Sequence, residues 1–284
     1  MTWRPEWDEA PQRRFGFGGG GSFFAVAPLT RTIVLLCVAV WLLSSVSVHW
    51  FGLSSELSNR LALSLDNAMW VYPFFTYVLP HSIYAPLHVV LNMVMLWYLG
   101  QELEVRLGRA RFATLFFGAA ALGGLAHLVL ALVTRSAGGD LMGASGGIFA
   151  LIFFIARESP GRPFFFYFVA VPARVLAFLL VVLEVFPLFT GSFADGVAHA
   201  CHLSGAAFGW VFQRHPFDAF ALLARAREAA AERSRASEQR HAEADEQEMD
   251  RLLKKIHEQG MPSLTASERR FLEERSRRSR AGRR

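Results

Sequence analysis

Six apolar runs, each near the length of a bilayer-spanning helix, alternate with polar or aromatic loops along the chain. A helix rises roughly 1.5 Å per residue, so about 20 apolar residues cross a hydrocarbon core. Somewhat fewer suffice where neighbouring helices shield the span. The runs lie at 30–49, 84–100, 112–134, 141–156, 175–190 and 197–213. A Phe-rich stretch from Pro163 is apolar as well, but Pro172 and Arg174 interrupt it before the fifth run. A charged Arg at mid-bilayer costs about 2.5–3.5 kcal/mol. The stretch Arg157 to Arg174 is therefore expected as an interfacial loop. The pattern predicts an all-α polytopic membrane protein with six transmembrane helices.

Charge fixes the orientation. Arg4, Arg13 and Arg14 precede the first span, Arg106, Arg109 and Arg111 separate the second from the third, and Arg157, Arg162 and Arg174 separate the fourth from the fifth. The opposite loops carry only Arg60 and Arg135. Positive residues stay on the cytoplasmic side, which puts both termini there and the loop 50–83 outside. That loop starts polar and becomes aromatic ("MWVYPFFTYV"), as suits a segment lying partly in the interface.

Residues 1–28 read as a flexible cytoplasmic lead-in, rich in Gly and aromatics. Residues 215–284 read as a charged helical cytoplasmic tail. Gly260 and Pro262 are expected to stop its first helix, and "TASE" at Thr265 to Glu268 offers a capping box for a second. Leu252, Leu253 and Ile256 would pack against Leu264, Phe271 and Leu272.

Composition agrees with this layout. The chain has 284 residues, 53% hydrophobic and only 19% charged, with a mean hydropathy of +0.29. Most of the basic residues and about half of the acidic ones follow Arg214, so the part before it is poorer still in charge. The net charge of +5 comes from basic residues flanking apolar spans, which points to orientation rather than nucleic acid. Two cysteines, Cys37 and Cys201, stand in separate apolar runs, which argues against a disulfide framework and a CxxC metal site.

Polar groups inside spans are expensive, so each is a functional candidate. They are His88 and Asn92 in the second span, His127 in the third, Ser145 in the fourth, Glu184 in the fifth, and His199 and His202 in the sixth. Spans two, four and six enter from the outer side. Most of their polar groups fall roughly 5–10 Å below that surface. Three helices thus deliver a serine, a histidine and an imidazole–amide pair to one level.

Ser145 stands in "GASGG", where glycines leave its hydroxyl unshielded. It also opens a helix, whose free N–H groups and positive dipole end favour a developing oxyanion. His202 lies three residues before Gly205, and Gly205 and Gly209 form a smooth stripe. That stripe lets the sixth span approach the fourth, with Gly146 and Ala150 opposite. Close approach is what a serine–histidine hydrogen bond needs. His199 sits one turn nearer the exterior and reads as water-exposed or loop-contacting. His88 and Asn92, spaced i, i+4, are suited to donate to an oxyanion. His127 reads as structural, and Glu184, late in its span, as interfacial.

These residues resemble the rhomboid intramembrane serine proteases over about 30–214. Gly143, Ser145 and Gly146 match the family's GxSG, His202, Gly205 and Gly209 its HxxGxxxG, and His88 and Asn92 its HxxxN. "LGQELEVRLGRARF", with Glu104 and Arg106, is similar to the family's exit from the second helix. The resemblance implies a six-helix rhomboid-like bundle at 29–214 with a Ser–His dyad and no acidic third member. Ser145 would be the nucleophile and His202 the general base. The Ser145 N–H, His88 and Asn92 would hold the oxyanion. It implies no metal and no cofactor, and substrates that are single-pass transmembrane proteins cut near the outer edge of the bilayer. Phe149, four residues after the nucleophile, replaces a tyrosine of some relatives and is expected to stack on His202. Trp70 is followed by Val71 where the family commonly has a Trp–Arg pair. The tail is similar to the extension of some bacterial members, which implies a bacterial cytoplasmic membrane.

Rival readings are an inactive rhomboid-like protein that binds transmembrane clients, and a metal site or transporter using His199, His202, Cys201 and Asp195 or Asp140. Cys201 would point away from both histidines on a helix. Completion of a triad by Asp195 or Asp140 is set aside, because both read as outer-loop residues.

Overall fold

The computed structural model describes residues 27–134, 139–166, 169–190 and 198–281. The lead-in with Arg4, Arg13 and Arg14, and also Arg135 and Asp195, lie outside them. The chain divides at Ala219/Phe220 into two compact units.

In the first unit, helix α1 (Pro28–Phe51) opens on a proline, whose missing N–H costs nothing there. Its next free donors are capped from another helix. The buried Glu104 carboxylate accepts from Leu29 N (2.9 Å), Thr30 N (2.7 Å) and Thr30 Oγ1 (2.8 Å). Gly52, at φ 62°, ends α1, with Gly52 N–H on the Val48 carbonyl and Leu53 N–H on that of Ser47. The segment after it folds into two short helices, α2 (Glu56–Leu61) and α3 (Pro73–Thr76). Asn67 ties this loop through its Oδ1 to Ser64 N and its Nδ2 to the Ala62 carbonyl.

Helices α4 (Pro86–Leu107) and α5 (Arg109–Thr134) meet at Gly108, and α6 (Ser145–Glu158), α7 (Ala173–Thr190) and α8 (His199–Arg214) complete the unit. Helix α6 is the centre: 11 of its 14 residues are buried, and it packs most extensively on α8. Helices α1, α4, α5 and α7 carry the outward apolar side chains, among them Leu35, Leu91, Leu132 and Phe178. Among the described residues, two helices are long and apolar enough to cross a bilayer by length and composition, α1 and α5. The others are shorter or bear charges: α8 has 16 residues, and α4 ends on Glu102, Glu104 and Arg106.

The stretch expected as a loop between Arg157 and Arg174 is more ordered. After α6 it forms an antiparallel hairpin of β1 (Pro163–Phe166) and β2 (Val169–Pro172), in the register Pro163↔Pro172. Aromatic and β-branched residues suit a pleated pair, and the prolines stand at its open end. This hairpin is a departure from a purely α-helical chain. Its base is fixed by Arg162, whose guanidinium forks onto Glu102, 2.6 Å to each oxygen, and is raised above its usual range by that contact. Arg106 joins Glu102 to Glu158.

The second unit is a helical pair. Helix α9 (Ala219–Gln259) stops at Gly260 (φ 77°), a 3₁₀ turn follows at Met261–Ser263, and α10 spans Ala266–Ala281. The capping box is formed: Glu268 accepts from Thr265 N at 2.8 Å, and Thr265 Oγ1 accepts from Glu268 N at 3.3 Å. Leu252 and Leu264 are buried, whereas Leu253, expected in the same contact, is 53% exposed. Lys255, the Thr265 N–H and Arg251 surround the Glu268 carboxylate and lower it to about 2.

Candidate active site

The chain approaches Ser145 through a backbone held on three sides. Leu141 exchanges two N–H···O bonds with Leu63, which follows α2, at 2.8 and 3.0 Å. Gly143 N–H donates to the Tyr77 carbonyl at 2.8 Å. Gly143 sits at φ +117°, open only to glycine, while a Cβ there would merely touch His88 and His81 at 3.7 and 3.8 Å. Ala144 N–H points at His81 Nε2 (3.4 Å), and His81 Nδ1 donates to the Leu79 carbonyl (3.1 Å). Burial lowers His81 to about 4, so its ring stays neutral and can accept. His81 precedes the second apolar run and carries no signal in the span pattern. Only its place in an otherwise aromatic loop marks it.

Ser145 is the first residue of α6. Its hydroxyl lies 2.6 Å from His202 Nε2. His202 is the fourth residue of α8 and is buried. Phe149, one turn into α6, lies flat on the His202 ring, with centroids 4.5 Å apart and planes 7° from parallel. The helices come this close because glycine faces backbone. A Cβ on Gly205 would lie 2.2 Å from the Gly146 carbonyl oxygen, and one on Gly209 2.1 Å from that of Ala150. Cys201 turns away from the histidines, its Sγ 3.3 Å from the Tyr77 hydroxyl.

Two expectations change here. Glu184 is not interfacial, and His202 does not lack an acidic partner. Glu184 is buried, with Oε1 2.9 Å from His202 Nδ1 and Oε2 2.7 Å from His199 Nδ1. His199 is 5% exposed, so it is not water-exposed. Glu184 lies within α7, six residues before its end, and each of its carboxylate oxygens meets one of the two rings. Asp140 is exposed.

His88 and Asn92 are the third and seventh residues of α4. Asn92 is buried, and its Nδ2 has no hydrogen-bond partner among the described residues. An orphaned buried donor is rare enough to ask for an acceptor. His88 is exposed, its ring edge-on to His81 at 5.8 Å. His127 lies outside this cluster's hydrogen bonds and contacts the Gly139 carbonyl through Nε2 at 3.1 Å. A hydroxyl bonded to an imidazole nitrogen at a helix N-terminus is a pair of groups suited to acyl transfer.

Comparison with known proteins agrees. A family model described as a Rhomboid domain matches residues 68–215, just over half of the chain, and one described only as a family of unknown function matches 235–278. The chain is similar to the protein named Rhomboid protease GlpG from Yersinia pestis (strain Pestoides F), 25% identical over 193 residues covering 64% of this chain and 60% of that one. It is similar to the protein of the same name from Photorhabdus laumondii, 28% identical over 198 residues covering 67% and 63%. The chain spans about three-fifths of the length of these relatives. It is an integral membrane protein and belongs to the rhomboid family.

Proposed function

We propose that the chain is an intramembrane serine endopeptidase that cuts single-pass membrane proteins in or near their transmembrane segments. The carrying observation is the 2.6 Å contact between Ser145 Oγ and His202 Nε2 at the head of α6. Ser145 attacks the scissile carbonyl while its proton passes to His202 Nε2, giving a tetrahedral oxyanion. Free N–H groups opening α6, with Asn92 Nδ2 and His88, receive the negative oxygen. His202 then protonates the leaving amine. Water attacks the acyl-serine, giving its proton to the same nitrogen; the C–Oγ bond then breaks, Ser145 Oγ takes that proton back, and the carboxylic acid product leaves.

Six spans, a helical tail and termini in the cytoplasm, and a site opening toward the outer side belong to the same proposal. Support comes from the basic residues at 106–111 and 157–174 and from the site's position at the N-terminal ends of α4, α6 and α8. The segments 1–28, 29–214 and 215–284 are the corresponding lead-in, protease domain and tail. The relatives named as rhomboid proteases add to the reading at about a quarter identity.

The test is cleavage of a reporter single-pass membrane protein by the full chain in proteoliposomes. Wild type cleaves, and Ser145→Ala and His202→Ala do not. Cleavage by Ser145→Ala at the wild-type rate, or none by wild type together with stable binding of the reporter, would leave a client-binding protein.

A further inference from the structure

We propose that Glu184 turns the Ser145–His202 pair into a triad, acting from α7 as the residue that positions the base, and that His199 holds Glu184 in place. This rests on the protease reading above. The carboxylate accepts one ring N–H per oxygen, from His202 at 2.9 Å and from His199 at 2.7 Å. An ionised carboxylate only accepts. His202 Nδ1 therefore carries the hydrogen, and Nε2 turns its lone pair to Ser145 Oγ. A neutral imidazole without that partner divides between two tautomers. In the other one Nε2–H donates to the serine and cannot take its proton.

The proton path does not run through Glu184. As the Ser145 O–C bond forms, the proton passes from Oγ to Nε2 and His202 becomes imidazolium. As the C–N bond breaks, the same proton leaves with the amine. Glu184 stays ionised and lies beside the positive ring while it exists. His199 and His202 are one turn apart on α8, so a single carboxylate spans both, and two donors fix its plane.

Several helices among the described residues face this cluster. Helix α6 supplies Ser145 and the uncharged Phe149 face, and α4 supplies His88, within electrostatic reach of His202. Helix α8 adds Cys201 near Glu184. Helix α5 meets α8 there through Gly123 against Cys201. Among the described residues, Glu184 is the acidic group bonded to either ring.

The experiment uses the full chain in proteoliposomes, with the reporter substrate and a fluorophosphonate that labels an activated serine. Glu184→Gln is expected to lower kcat by up to about 10⁴-fold with little change in KM, because the amide N–H₂ favours the wrong tautomer. It is also expected to move the acid limb of kcat/KM to lower pH, since the protonated ring loses its counter-charge. Glu184→Asp recovers part of the rate, and His199→Asn costs a smaller factor. If Glu184→Gln does not fold, Glu184→Asp and His199→Asn carry the test: both keep the carboxylate, so each is expected to lower kcat with little change in KM while Ser145 still labels, and wild-type kcat in both overturns the proposal. A Glu184→Gln protein that matches wild type, or that slows equally at every pH with the limb unmoved, overturns the proposal while Ser145 still labels. A wild-type chain that neither cleaves nor labels overturns both readings together.

Discussion

Gly205 and Gly146 meet backbone to backbone, so closely that one added methyl on Gly205 would overlap the Gly146 carbonyl at 2.2 Å. Neither backbone can yield without moving a helix. Gly205→Ala and Gly209→Ala are therefore expected to push α8 off α6 and lengthen the Ser145–His202 contact. A displacement near 1 Å is worth roughly 10²-fold in rate. Cleavage rate and thermal midpoint should fall together. Gly161→Ala, with nothing within 4 Å, should change neither.

Phe149 lies flat on His202. An aromatic pair contributes about 0.5–1.5 kcal/mol beyond its buried area. Phe149→Ala removes it, and kcat should fall by at least about 2–10-fold, the factor that energy represents. Phe149→Tyr keeps the stack and should stay within about twofold of wild type. Steady-state kinetics on the two variants check this.

Asn92 separates activity from stability. Its Nδ2 is buried without a partner, so Asn92→Ala should leave the thermal midpoint unchanged or raised. Loss of one oxyanion donor nevertheless costs about 10²–10³-fold in kcat. A variant that is both unstable and slow would mean that Asn92 holds the fold instead.

Glu104 caps a helix that is not its own. Three donors of α1 depend on it. Glu104→Ala leaves them buried and unsatisfied, each at about 1–3 kcal/mol. The thermal midpoint should drop well below that of wild type. Glu104→Gln, which keeps one acceptor oxygen, should fall between.

The tail has its own acid limit. Glu268 is lowered from 4.5 to about 2 by Lys255, the Thr265 N–H and Arg251. A depressed carboxyl binds protons less readily folded than unfolded. Its contribution is complete above pH 4.5 and is lost as the pH falls from 4.5 toward 2. Amide exchange of residues 261–281 in the full chain should quicken over that window. In Glu268→Gln it should already be faster at pH 7 and vary less across the window.

Much of the site was legible because bilayer depth is a ruler written in the sequence. Ser145, His202 and His88 fall at about one depth when counted from the outer ends of the expected spans, and the Gly205 and Gly209 spacing pairs α8 with Gly146 and Ala150. Glu184 escaped because its span arrives at that level with its last residues, so its depth has to be counted backward. His81 escaped because it lies outside every apolar run. The hairpin at Pro163–Pro172 was hidden by its own apolarity: no Gly, Asn or Asp marks a turn between its strands.

The burial of α6 also sets an order of events. The serine leaves the ribosome 57 residues ahead of the histidine that bonds it, and the carboxylate arrives between them. Until α8 is inserted, α6 keeps an apolar flank waiting for its partner, and the nascent chain carries an unarmed hydroxyl. On the proposed reading a chain interrupted before His199 therefore lacks the base for Ser145, because α8 brings that base together with the glycine face that closes on α6.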